Sequence, residues 1–248
     1  EHGLIAYLWS TSGSNSNSTW TMYDGFTGRN ILTLVNVTWG GLGGFNGGPT
    51  TFGPKGELLS YSFAGTAENY RLIAWNSTKA IYSRGSIDTW SPPYGGVVDG
   101  SKGIEYDVSI PYIPGLSISA IGEGYILAQV RDTTQFPYVL TDVCFDQATG
   151  EQLWVKNRTE IYTAFFAQAM SIREGKYILR DEGKMVTYAY DITNGNQLWV
   201  TDSLPSGWGI FEYQQEIAYG KVFTTGYTGS IRAYDATNGE PVWKFDQG

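Results

Sequence analysis

Few residues of this 248-residue chain are of a type that does chemistry unaided. The one histidine, His2, sits beside the first residue. That removes His-based triads, His-metal centres and a positioned imidazole base from the candidate mechanisms. The one cysteine, Cys144, excludes an intrachain disulfide and any Cys-rich metal site. It reads as a small buried strand residue. The carboxylates Glu123, Asp132, Asp181, Glu182, Glu212 and Glu216 are the candidates for an acid/base pair acting on a glycosidic bond. Such pairs meet in space rather than in sequence, so none is singled out, and each reads first as a strand-end or loop group facing water.

Two motifs invite a ligand and fail on spacing. The segment Gly40-Gly-Leu-Gly-Gly-Phe-Asn-Gly-Gly48 carries Asn46 where a dinucleotide loop needs its third glycine, and no Gly-Lys-Ser/Thr phosphate loop occurs. The Asp-x-Thr-Asn-Gly stretches lack the alternating Asp/Asn ligands and distal Glu of a calcium loop, so they read as turn caps. The expectation is therefore no catalytic, cofactor-binding or metal-ligating residue. A positive signal comes from four Asn-x-Ser/Thr acceptors, at Asn17, Asn36, Asn76 and Asn157. Glycosylation there implies an exported protein. Asn17 falls at a hairpin tip, Asn36 and Asn157 near the ends of outer strands. Asn76 occupies a turn-capping position, where its amide is needed for the turn.

The elements that must position these residues come from a repeat. Ala233-Tyr-Asp-Ala-Thr-Asn-Gly-Glu-Pro-Val-Trp243 is preceded by Ala189-Tyr-Asp-Ile-Thr-Asn-Gly-Asn-Gln-Leu-Trp199 and by Cys144-Phe-Asp-Gln-Ala-Thr-Gly-Glu-Gln-Leu-Trp154. Asp146, Asp191 and Asp235 lie 45 and 44 residues apart. Gly150, Gly195 and Gly239 follow four residues later, and Trp154, Trp199 and Trp243 eight residues later. A fixed period of this size means stacked or radial repeats. In each unit an apolar alternating run ends at Asp, whose carboxylate accepts amides of the following turn. Gly reverses the chain, and the next strand carries one Trp to bury against the neighbouring unit. Asp24 to Gly28 repeats the turn, with Leu32 in place of the Trp.

Together these residues resemble the repeat of PQQ-like, quinoprotein-type β-propellers, whose Asp-x-x-Thr-Gly turns and docking Trp they share. The resemblance implies an all-β propeller of four-stranded antiparallel blades, about five of them visible and the first incomplete. Quinoprotein dehydrogenases of this type are larger, eight-bladed, and hold a quinone and calcium on the axis. Many of them clamp the quinone beneath a disulfide of adjacent cysteines, which one cysteine cannot supply. The resemblance also implies an archaeal or bacterial cell-surface protein.

In chain order, strands are expected at 4–9, 20–24 and 31–38, with no first strand for that unit. The second unit has strands at 57–63, 70–76 and 103–110, and Asn76 stands at its turn. Later strands fall at 116–122, 125–131, 138–146 and 152–156, then in units spanning 163–201 and 210–246. The wide spacing from Asn76 to Asp146 places a loop insertion at about 84–102, containing Trp90 and Tyr94. Residues 1–248 read as a single propeller domain or part of one. The incomplete first unit leaves three readings: a longer polypeptide with more blades, five blades closed by an unrecognised strand, or an open edge completed by a neighbouring copy. The start at Glu1 rather than Met fits a processed or partial chain.

Composition agrees. Charged residues are 16% of the chain, against about 25% in an average domain, while Gly (32), Tyr (18) and Trp (9) abound, as short strands and tight turns require. A net charge of −8 excludes sequence-independent binding of nucleic acid. No stretch is apolar enough to span a membrane as a helix. The function expected is a non-enzymatic secreted or cell-surface scaffold for adhesion, self-assembly or ligand binding, with Trp90, Tyr94 and Trp208 as candidate contact residues. Its candidate partners are a second copy, forming a homo-oligomer or filament by edge-strand completion, or a glycan or protein ligand. The alternative is a PQQ-dependent or glycan-acting enzyme, or a fragment of one.

Overall fold

The computed structural model describes residues 7–13, 18–37, 50–54, 56–82, 95–134, 138–161, 169, 171–204 and 214–246. The alternation of apolar and polar residues resolves into five four-stranded sheets, and the chain is an all-β propeller of four-stranded blades. The blades fall into two compact units, 1–111 and 112–248.

Unit 1 contains β1 (Tyr7–Ser12), β2 (Ser18–Asp24), β3 (Asn30–Val37), β4 (Thr50–Phe52), β5 (Leu58–Ala64), β6 (Arg71–Asn76), helix α1 (Ser77–Tyr82), β7 (Gly96–Asp99), a 3-10 turn (Gly100–Gly103) and β8 (Ile104–Ser109). Blade 1 has the order β1-β2-β3-β7 and blade 2 the order β4-β5-β6-β8. Strands expected at 20–24 and 31–38 appear as β2 and β3, while the one expected at 4–9 is described from Tyr7 and runs on to Ser12; among the described residues no strand precedes β1 in the sheet. The fourth strand comes from elsewhere. β7 lies in the stretch 84–102 expected to be a loop and pairs parallel to β3, Leu32 opposite Gly96 through Val35 opposite Asp99.

The cause is at Asn76. Its side-chain oxygen accepts the amides of Thr78 (2.8 Å) and Lys79 (3.4 Å), as a cap should. Four residues on stands Ala80 rather than Gly, so the chain cannot reverse and enters α1 instead. The returning segment then adds β7 to blade 1 before β8 completes blade 2. Asp99 caps the 3-10 turn by accepting from Ser101 N (3.1 Å) and Ser101 Oγ (2.8 Å). A Cβ on Gly100 would stand 2.5 Å from Val37 Cγ2. The unit's core joins Trp20, Met22, Leu32, Leu34, Leu58, Trp75, Ile81 and Val98, with Trp20 edge-on to Trp75 at 5.1 Å.

Unit 2 contains β9 (Ser117–Gly122), β10 (Tyr125–Asp132), β11 (Val139–Asp146), β12 (Gln152–Arg158), β13 (Ile172–Arg173), β14 (Lys176–Asp181), β15 (Val186–Asp191), β16 (Gln197–Val200), β17 (Gln214–Ala218), β18 (Lys221–Thr225), β19 (Ser230–Asp235) and β20 (Pro241–Asp246). These form three antiparallel meanders, blades 3, 4 and 5. Strands expected at 116–122, 125–131, 138–146 and 152–156 appear within two residues of those bounds. A register shift recurs two residues before the end of each third strand, between Cys144 and Phe145, Ala189 and Tyr190, and Ala233 and Tyr234. This shared bulge sets the fourth strand of every blade alike.

Candidate functional site

The repeated turns are built by one set of bonds. Asp24 Oδ1 accepts from Phe26 N (3.0 Å), Thr27 N (2.7 Å) and Thr27 Oγ1 (3.0 Å). Asp146 Oδ1 takes the same three donors from Ala148 and Thr149. Asp191 accepts from Thr193 N and Oγ1, and Asp235 from Thr237 N at 2.7 Å. Gly28, Gly150, Gly195 and Gly239 each donate their amide to the carbonyl of the Asp four residues back, at φ between +67° and +77°. The Thr27 amide holds the Asp24 carboxyl below its ordinary range, and the Thr237 amide does the same for Asp235.

Each turn in unit 2 is also a seat for the preceding blade. Trp154 of blade 3 donates its indole N–H to the Ile192 carbonyl (2.9 Å) in the turn of blade 4. Trp199 of blade 4 donates to the Ala236 carbonyl (3.0 Å) in blade 5. The rings lie so close over the turn that a Cβ on Gly195 would stand 2.9 Å from Trp154, and one on Gly239 2.6 Å from Trp199. Behind each Trp runs a row across the sheet: Leu127, Cys144, Trp154 in blade 3, and Ile178, Ala189, Trp199 in blade 4. The opposite face of the following blade meets it with Tyr177 and Tyr190 in blade 4, or Val222 and Tyr234 in blade 5. Trp199 is 6% exposed. In blade 5 the equivalent row is Phe223, Ala233, Trp243, and there Trp243 is 42% and Phe245 56% exposed.

Carboxylates lock the same interfaces. Glu123 accepts the amides of Glu174 (2.7 Å) and Gly175 (2.8 Å) in the next blade, and Glu174 accepts the Gly220 amide in the blade after that (3.1 Å). Glu123, Glu174 and Tyr219 occupy equivalent positive-φ positions before Gly124, Gly175 and Gly220. Tyr219 ends the series and is 89% exposed. Deeper in, Asp142 accepts from Arg158 Nε (2.6 Å), Tyr177 Oη (2.8 Å) and Gln129 Nε2 (2.7 Å). Arg158 also donates to the Gly195 carbonyl (2.8 Å) and to Tyr177, and lies 4.0 Å over the Tyr190 ring. Burial opposes the charge on Arg158, but Asp142 and the tyrosine hydroxyls outweigh it and raise its pKa. Burial, then Asp142, pushes Tyr177 up, and burial, then Glu160, pushes Tyr190 up.

The remaining described candidate carboxylates each have partners of their own. Asp132 accepts from Thr134 N (2.9 Å) and Oγ1 (2.6 Å), Asp181 from Lys184 N (3.1 Å), and Glu216 pairs with Arg173 (3.3 Å) at the surface. Glu182 is buried and attracts both Arg131 and Arg180. Burial lowers Arg180 to about 10. Glu212 lies outside the described residues, as do His2, the glycine-rich segment 40–48, Asn17, Trp90, Tyr94 and Trp208. Asn36 and Asn157 are exposed. Asn36 donates to Asp99 (3.3 Å), and Asn157 accepts from Thr141 Oγ1 (2.9 Å). Among the described residues no three His, Cys, Asp or Glu side chains converge to hold a metal ion. No described helix is long and apolar enough to cross a membrane.

These seats and their Asp-x-x-Thr-Gly turns are the features the sequence shares with a known repeat, and the comparison with protein families locates it. Residues 138–247 match the PQQ-type family model described as outer membrane protein assembly factor BamB. Residues 138–247 are PQQ-like propeller repeats. They take in blades 4 and 5 and the outer half of blade 3. Among solved structures the chain is similar to BamB from Moraxella catarrhalis, at 14% identity and a TM-score of 0.40, covering 81% of this chain and 53% of that one. It is similar to the computationally designed Ika8 protein at 11% identity and a TM-score of 0.46, covering 96% and 74%. A europium-containing methanol dehydrogenase matches at 12% identity and a TM-score of 0.43, covering 81% and 41%. The chain thus spans about half the length of the BamB it matches. No curated protein matches the chain.

Proposed function

We propose that this chain is a non-enzymatic scaffold of the secreted or cell-surface kind, which works by presenting rigid PQQ-like blades to other macromolecules. The observation that carries the reading is where the acidic groups are spent. Glu123, Glu174 and Asp142 hold backbone amides and buried cations between blades, a structural use of carboxylates. The family matched by residues 138–247 is named for an assembly factor, which agrees with a role in holding proteins together. Asn36 and Asn157 are the acceptors best placed for glycans, being exposed near the ends of β3 and β12.

The test is a titration of the protein with PQQ in the presence of calcium, followed by tryptophan fluorescence and by dye reduction with alcohol and aldose substrates. A scaffold gives neither saturable quenching nor dye reduction. Stoichiometric quenching with substrate-dependent dye reduction would replace this reading with the enzyme. Mass spectrometry of the natively produced chain before and after deglycosylation checks the export element, with sugar increments expected on the peptides of Asn36 and Asn157.

A further inference from the structure

We propose that the groove between blades 4 and 5 receives an arginine side chain of a protein partner. The assignment rests on the scaffold reading and names the chemistry that such a scaffold holds. Two adjacent interfaces built by the same repeat differ at this point. Between blades 3 and 4 the space beside the tryptophan seat is filled from within. Lys156 and Arg158, two and four residues after Trp154, reach across to the turn of blade 4. Lys156 contacts the Asn196 side chain (3.2 Å), and Arg158 donates to the Gly195 carbonyl (2.8 Å) while its guanidinium lies 4.0 Å over the Tyr190 ring. Asp142 neutralises that guanidinium at 2.6 Å.

Between blades 4 and 5 the residues at the same offsets from Trp199 are Thr201 and Ser203, whose side chains are too short to cross. Thr201 turns back to accept the Thr187 amide (3.0 Å), and Ser203 donates to the Lys184 carbonyl (2.8 Å), both within blade 4. What they leave is a groove of about 370 Å³ that both residues line. The receiving surface is kept. Tyr234 stands where Tyr190 stands in blade 4, and Gly239, the equivalent of Gly195, also lines the groove.

Charge selects the occupant. Thr187 stands where Asp142 stands in blade 3, so the countercharge comes from the groove itself. Glu240 replaces Asn196 in the receiving turn, and Asp202 lies on the opposite wall; both carboxylates are exposed. Of the cations nearby, Lys244 is paired with Asp246 (2.7 Å), and Arg180 and Arg232 lie at the hydroxyl end of the Tyr234 ring. The incoming guanidinium is therefore received at the turn end, over the ring and against Gly239 and Glu240. A planar guanidinium can lie on a tyrosine ring and donate to a carbonyl and a carboxylate at once, which a lysine ammonium does poorly.

The test is a titration of the intact chain with the peptide acetyl-Gly-Arg-Gly-amide and with its lysine and citrulline analogues, read by amide chemical shifts. The arginine peptide should saturate and bind about 10-fold more tightly than the lysine peptide, and the citrulline peptide should not bind. Ser203→Arg returns the repeat's own guanidinium to the groove from an exposed position. It should weaken the arginine peptide about 10-fold or more without lowering the thermal melt. Glu240→Gln should weaken it about 3-fold, while Glu151→Gln, at the corresponding place in the turn of blade 3, leaves it unchanged. No saturation, equal binding of the arginine and lysine peptides, or a Ser203→Arg variant that binds like the wild type would each overturn the assignment. Tighter binding of free L-arginine than of the peptide would overturn it too, by making the ligand the amino acid. The scaffold reading survives all of these results, because the quinone titration decides it.

Discussion

At the scale of single residues, the turn aspartates carry a pH signature. Asp24 and Asp235 have folded pKa values depressed below 3.8 by turn amides, so each stabilises the fold fully above its unfolded value and less as pH falls through its folded value. Thermal melts of the wild type and Asp235→Asn should therefore differ near neutrality and converge in acid below that point. A gap that widens in acid would reverse the sign and refute the cap. Cys144 gives a second readout. Burial, then Asp142 and Asp146, pushes its thiol up to about 12, so a disulfide reagent at pH 8 should find no reactive thiol in the native chain and one equivalent after denaturation. Asp142 and Arg158 are a buried pair with every partner in place. Asp142→Ala should cost about 3–5 kcal/mol by leaving the guanidinium uncompensated. Asp142→Leu/Arg158→Met should recover most of that loss in urea denaturation. The sequence showed Asp142 and Arg158 only as ordinary strand residues, because a pairing across sixteen positions, joined by a tyrosine of the next blade, leaves no local pattern.

At the scale of the blade, the tryptophan seat was the part most legible beforehand. Its Asp, Gly and Trp recur at fixed offsets because one turn and one packing contact fix all three, and periodicity exposes such constraints. Trp199→Ala should cost about 3–5 kcal/mol, since it empties a buried site and loses the indole bond to Ala236. Trp243→Ala should cost about 0.5 kcal/mol or less, as it does at any exposed position. Chemical denaturation of the two variants separates them, and equal losses would contradict the assignment of Trp243 to an open face. The glutamate clamps were not legible. Glu123 was visible only as one acidic residue among several, and its use depends on a backbone turn fifty residues away. β7 was hidden for a different reason. Gly96–Asp99 is too short and too glycine-flanked to announce a strand, and it pairs parallel with a blade that the chain has already left. The failed reversal at Asn76 was readable in principle, because Ala80 stands where every working turn has Gly.

At the scale of the whole molecule, the described carboxylates are spent on structure: Glu123 and Glu174 hold amides of the next blade, and Asp142 neutralises the buried Arg158. The central claim is that blades joined in this way work as a scaffold. Titration with PQQ in the presence of calcium, followed by tryptophan fluorescence and by dye reduction with alcohol and aldose substrates, tests it most directly. The account predicts neither saturable quenching nor dye reduction. Stoichiometric quenching with substrate-dependent dye reduction would contradict it.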